Sequence, residues 1–119
     1  MKRQGWNLCA EGCPVEAALD LIGGKWKGVV LYHLFKDKEL RFNELRRRLP
    51  SASQRVLTKQ LRELERDGVV RRKVFAEVPP HVEYSLTLFG RSLRPVVKSL
   101  EIWGNGRRPQ SLASAARAP

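Results

Sequence analysis

Gln54, Arg55, Thr58 and Lys59 lie on one side of a segment whose other side carries Leu57, Leu61 and Leu64. Leucines at i, i+4 and i+7 commit one helical face to a core. The opposite face then presents side chains suited to a DNA major groove. Gln offers a bidentate edge to adenine and Arg one to guanine, while Thr and Lys reach base edges or phosphate. Ser51, Ser53 and Arg62 flank this set and suit phosphate contacts. Arg71, Lys73 and His81 follow on a pair of short strands and form a basic wing beside it. Lys25 and Arg41 stand at element starts, where contact with phosphate is expected. Surface solvation is the simpler reading for Arg66, Arg72 and Arg91.

Thiols are the other candidate chemistry. Cys13 precedes Pro14, and proline favours the first position of a helix. Cys13 is therefore expected at a helix N-cap, where the positive end of the helix dipole stabilises a thiolate. Cys9 lies four residues earlier, close enough to act as a resolving partner within the chain or across a dimer. The plainer alternative is that both are small apolar or idle side chains. A metal site is weaker, because Cys9, Cys13, His33 and His81 would have to converge from distant elements. An enzyme reading lacks parts: the chain has no phosphate-binding glycine loop, no clustered carboxylate pair and no nucleophile with a base in a recognisable motif. No cofactor is expected.

The elements that must position these residues follow from periodicity and punctuation. Residues 1–12 form an N-terminal arm. A helix starts at Pro14, with Val15, Ala18, Leu19 and Ile22 on one face, and ends at Gly23-Gly24. A second helix, about 25–35, is expected to bury Trp26, Val30 and Leu34. Leu40-Arg41-Phe42 reads as a one-rung strand, and 43–49 as a short helix ended by Pro50. Ser53 caps the next helix, which Asp67-Gly68 stops; these two helices and their turn make a helix-turn-helix. Val70, Val74, Ala76 and Val78 read as an alternating strand paired with Val82, Tyr84 and Leu86 through a Pro79-Pro80 turn. Thr87 caps a final helix carrying Leu93, Val96, Val97, Leu100 and Trp103, with a kink or break at Pro95. Residues 105–119 lack periodicity and read as a disordered basic tail. The fold class is mainly α with a small β-hairpin: a winged helix-turn-helix over residues 13–104.

Charge points to the same place. The 119 residues carry a net charge of +11, and residues 41–73 alone hold eleven Lys and Arg against four acids. A polyanion is the natural partner of such a surface. There is no apolar run of membrane-spanning length and no signal-peptide pattern, so no membrane partner is expected and the cytoplasm is the expected compartment.

The motifs Gly24-Lys25-Trp26, Arg41-Phe42-Asn43-Glu44-Leu45, Leu61-Arg62-Glu63-Leu64-Glu65, Asp67-Gly68-Val69-Val70-Arg71 and 78–87, closed by Gly90 and Trp103-Gly104, occur here in order. Together they resemble the HxlR-type helix-turn-helix regulators, relatives of the MarR group. The resemblance implies a bacterial transcription regulator, a repressor in the reading adopted, that dimerises through its terminal helices and binds a pseudo-palindromic operator in double-stranded DNA. It also implies a redox switch at Cys13, since several members carry an oxidant-sensing cysteine in this Cys-Pro position. Control by a small molecule, or no effector at all, stays open as the alternative. So does RNA binding, although Trp6, Trp26, Phe42, Phe75 and Trp103 suit core, junction or interface positions better than a stacking platform. A winged helix that has lost DNA binding would be expected to carry acids on the face that is basic here. Trp6, Leu8, Val96, Val97, Leu100 and Trp103 offer more apolar surface than one small domain buries, and are the expected homodimer interface.

Overall fold

The computed structural model describes residues 12–107. Trp6, Leu8, Cys9 and the tail beyond 107 lie outside the described residues, so the expectations that rest on them are not addressed by it.

Pro14 sets the first turn of α1 (Pro14–Ile22), with Cys13 at its N-cap and Gly23 closing it. A Cβ on Gly23 would fall 2.3 Å from the Leu19 carbonyl oxygen, so only glycine lets the chain turn there. Gly24 continues the turn at φ +92°. α2 (Lys27–Lys36) begins two residues later than expected, because Trp26 is its N-cap. It buries Lys27, Val30, Leu31 and Leu34, whereas Trp26 is only partly buried. β1 (Glu39–Arg41) leads into α3 (Phe42–Arg48), whose start is fixed by the Arg41 amide donating to Glu44 Oε1 at 2.8 Å.

α4 (Gln54–Arg66) is capped at both ends. Ser53 Oγ accepts from the Val56 amide at 3.1 Å. At the other end Gly68 is left-handed at φ +75°, and the Val69 and Gly68 amides donate to the Leu64 and Glu65 carbonyls. These paired bonds satisfy carbonyls that a helix end otherwise leaves open. Leu57, Leu61 and Leu64 are fully buried.

β2 (Val70–Phe75) and β3 (His81–Leu86) form the hairpin, and β1 adds to the far side of β3, giving an antiparallel sheet of order β1-β3-β2. The expected apolar alternation on the first strand does not persist. Val70 is buried, Val74 is 56 % exposed and Val78 fully exposed, because the hairpin projects beyond the core after its first residues. The Val78-Pro79 peptide in the turn is cis. His81 opens β3 and stands just past that turn, not at its tip.

The expected final helix is two elements: α5 (Leu88–Arg91), capped by Thr87, and α6 (Arg94–Asn105). Pro95 sits in the first turn of α6, where its missing N–H has no helical partner to lose, so it starts a helix instead of kinking one. Val97 is 5 % exposed and belongs to the chain's own core. That withdraws it from the expected dimer surface.

Candidate nucleic-acid interface

α4 divides cleanly around its circumference. Its leucines are spent inward, while Gln54, Arg55, Lys59 and Arg62 are exposed and Thr58 is half-buried. Neither Arg55 nor Lys59 makes an ion pair or side-chain hydrogen bond with another described residue. Arg66, by contrast, is held by the Asp67 carboxylate at 3.1 Å, in keeping with its expected surface role. Ser53 spends an acceptor on the helix cap, yet its hydroxyl proton remains available to phosphate. Ser51 is exposed in the turn just before it.

Between α4 and the wing runs a cleft of about 760 Å³. Gln54, Thr58 and Arg62 form one wall, Arg41 and Asn43 one end, and Arg72, His81 and Tyr84 the other wall. A second, shallow surface carries Arg55, Lys59 and Arg66 along the outer flank of α4. A third patch, of about 350 Å³, joins Asn43 to Arg46 and Arg47. The structure thus brings together Arg41, Gln54, Thr58, Arg62 and His81 in one cleft. Lys25 stands apart from it, its ammonium 5.0 Å over the Trp26 ring and beside the groove between α1, α2 and α6.

Strand register decides which wing cations face α4. Arg72 pairs across from Tyr84 and shares the cleft with it. Side chains alternate along a strand, so Arg71 and Lys73 occupy the other face, opposite Ser85 and Glu83. Lys73 there lies 4.9 Å over the Phe75 ring. Arg72, Asn43 and Tyr84 are cleft residues that sequence reasoning missed, as are the acids Glu65 and Glu77 on its lining. Counting strand positions from buried Val70 would have found Arg72. Burial pushes the Tyr84 phenol up, against the neighbouring Arg72. Tyr84 therefore stays neutral and can donate or accept a hydrogen bond from the cleft wall.

His81 is not a loose contact. Its ring stacks on Phe75 at 4.5 Å, with Nε2 3.1 Å from Glu83 Oε2 and Nδ1 3.6 Å from Glu77 Oε2. Arg41 Nε stands 4.0 Å from the same Glu83 oxygen. Through Glu83 these contacts tie the turn end of the hairpin to the start of α3, so His81 shapes the cleft as well as lining it.

The remaining candidates lie elsewhere. Cys13 is partly buried at the N-cap of α1 and carries a thiol. His33 packs edge-on against Tyr32 at 5.2 Å, and its Nδ1 is buried without a hydrogen-bond partner. Burial, then nearby Arg48, pulls its pKa down. Among the described residues no group of three or more His, Cys, Asp or Glu side chains could hold a metal, and no helix is long and apolar enough to cross a membrane. Val15 and Leu19 of α1 and Val96, Leu100 and Trp103 of α6 are exposed. A groove of about 850 Å³ between α1, α2 and α6 adjoins them.

Comparison with known proteins agrees with this geometry. The profile of the HxlR-like helix-turn-helix family matches residues 21–111. The uncharacterized HTH-type transcriptional regulator YdeP of Bacillus subtilis (strain 168) is 63 % identical over 94 residues, covering 79 % of this chain and 73 % of that protein. The redox regulator HypR in its oxidized form superposes with a TM-score of 0.76 at 59 % identity, covering 81 % of this chain and 98 % of that one. Its reduced form gives the same TM-score at 56 % identity, over 84 % and 98 % of the two chains. The mostly helical fold with a three-stranded antiparallel sheet is therefore that of a winged helix-turn-helix, and the chain belongs to the HxlR-like helix-turn-helix family of transcriptional regulators.

Proposed function

We propose that this regulator binds a pseudo-palindromic operator in duplex DNA as a homodimer, acts as a repressor in the cytoplasm, and responds to oxidants or electrophiles through Cys13. The observation that carries the DNA reading is the exposed polar face of α4, where Arg55 and Lys59 have no ion-pair partner among the described residues, flanked by the Arg41–Arg62–Arg72 cleft. A helix so equipped enters the major groove with its N-terminal half deepest. Gln54, Arg55, Thr58 and Lys59 then read bases. Ser51, Ser53, Arg62 and Arg41 hold phosphates, and the cleft takes the adjacent strand, with Arg72 joining it. Arg71, Lys73 and His81 grip backbone or minor groove from the wing.

The dimer reading rests on the uncovered side chains of α1 and α6, especially Leu100 at 54 % and Trp103 at 65 % exposure. Such a contiguous apolar surface marks an interaction site. A two-fold dimer sets the two α4 helices about 34 Å apart, one turn of DNA. Residues 13–104 are the binding unit in this reading, with 1–12 and Trp6 and Leu8 contributing to the interface.

The redox reading rests on the N-cap position of Cys13 and on the likeness to the redox regulator HypR. Footprinting on the DNA flanking the protein's own gene, with and without diamide, tests all three parts. The expected result is a protected two-fold site that diamide releases. Uniform protection without a site would overturn operator reading, and unchanged release by diamide in Cys13→Ser would overturn the sensor.

A further inference from the structure

Lys27 is the one buried charged side chain among the described residues, 7 % exposed, and it sits in the first turn of α2. Its Nζ lies 2.7 Å from Oε1 of Glu63 on α4. Gln60, one turn before Glu63, faces the same way: its buried Oε1 lies 3.5 Å from where a Cβ on Gly24 would be. The flank of α4 that meets the start of α2 is thus polar, although an apolar pair would fill it without desolvating a charge.

Glu63 keeps 25 % of its side chain exposed, so the pair is buried at its lysine end only; replacing such a desolvated pair by apolar residues of similar volume is often neutral or stabilising, whereas removing one partner is not. Stability therefore does not account for Lys27 and Glu63. Directionality does. Leu57, Leu61 and Leu64 hold α4 to the core by contacts that are not directional, while a hydrogen-bonded ion pair on one flank fixes rotation about the helix axis. Side-chain tips lie roughly 6 Å from that axis, so a turn of 20° would carry Arg55 or Lys59 by about 2 Å, more than base-edge hydrogen bonds accept. Glu63 also borders Lys59 and Arg66, and Lys27 neutralises it at the edge of the basic face.

We infer that the Lys27–Glu63 pair is a positioning device for operator recognition, setting the rotation of α4 so that its exposed side chains meet base edges. The inference rests on the DNA reading above. Its test uses the full chain and a duplex spanning roughly three helical turns, enriched by the wild-type protein from a randomised pool, against the scrambled duplex. Lys27→Met/Glu63→Leu is expected to melt within a few degrees of wild type or higher. Its discrimination between the two duplexes is expected to fall at least tenfold. Affinity for the scrambled duplex should hold, since the double variant removes one charge of each sign and leaves the net charge unchanged. Lys27→Arg is expected to keep discrimination within threefold. A double variant that discriminates as wild type does, or whose losses simply follow a Tm lowered by more than 10 °C, overturns the inference while the DNA reading stands. Failure of the wild-type chain to enrich any duplex overturns the DNA reading and this inference with it.

Discussion

α4 and α6 are amphipathic helices of nearly equal length that use their apolar residues in opposite ways. α4 buries Leu57, Leu61 and Leu64 completely and turns its cations outward. α6 buries only Val97 and leaves Val96, Leu100 and Trp103 uncovered. Helical spacing identifies an apolar face in both, but it does not say whether that face closes on its own chain or awaits another. The first helix is finished within the chain and has a free polar surface to offer; the second has an apolar surface still to cover.

Substitutions can break this contrast, and the largest effect belongs in α4. Leu61→Ala leaves a cavity in a site with no exposure and is expected to cost about 2–5 kcal/mol in urea unfolding. A loss below 1 kcal/mol would show that α4 is not the sealed element described. Leu100→Glu/Trp103→Glu puts charge on the α6 surface. It is expected to weaken self-association about a hundredfold, close to 2.7 kcal/mol, with a far-UV spectrum like that of wild type. Sedimentation equilibrium reads the change, and an unshifted profile would remove α6 from the interface.

Arg55→Ala tests the polar side of α4. It is expected to lose about 1–3 kcal/mol on the preferred sequence and to relax preference at one position. A uniform loss on every duplex would make Arg55 a phosphate contact. The smallest effect concerns His33. Its folded-state pKa lies below the ordinary 6.5 because burial, then Arg48, disfavours the charged ring. Above pH 6.5 the ring is neutral in both states and the folded protein has its full stability from this group. As pH falls from there the unfolded chain binds the proton first, and stability declines until the folded pKa is passed. The urea midpoint should drop between pH 7.5 and 5.5, and His33→Phe should flatten that part of the curve.

Much of this contrast was legible in the residues themselves. Ser53, Asp67-Gly68 and three leucines marked out α4 and its outward face without help from the rest of the chain, because caps and periodicity are local signals. Alternation along 70–78 and 82–86 marked the hairpin as well, and the family resemblance agreed with its place beside that helix. What escaped notice depended on contacts between elements. Val97 reads as one more apolar residue of α6 until the packing of α6 on α2 encloses it. Lys27 reads as a surface lysine until Glu63, thirty-six positions later, meets it. Arg71 and Arg72 exchange roles according to where strand pairing begins, and a one-residue offset reverses every side chain of a strand.

The Thr87 hydroxyl at the root of the wing donates to the Gly68 carbonyl at 2.6 Å, and its oxygen accepts from the Gly90 amide at 2.9 Å. Gly90 is pressed so close to Val69 that a Cβ there would lie 2.1 Å from the Val69 carbonyl oxygen. One threonine and one glycine thus weld the exit of α4 to the return of the hairpin. A signal that loosens the hold on DNA therefore has little room to spread the jaws of a single reading head. In the dimer proposed above, it would instead move the two intact heads apart or tilt them, so the span between half-sites is the quantity such a signal would tune.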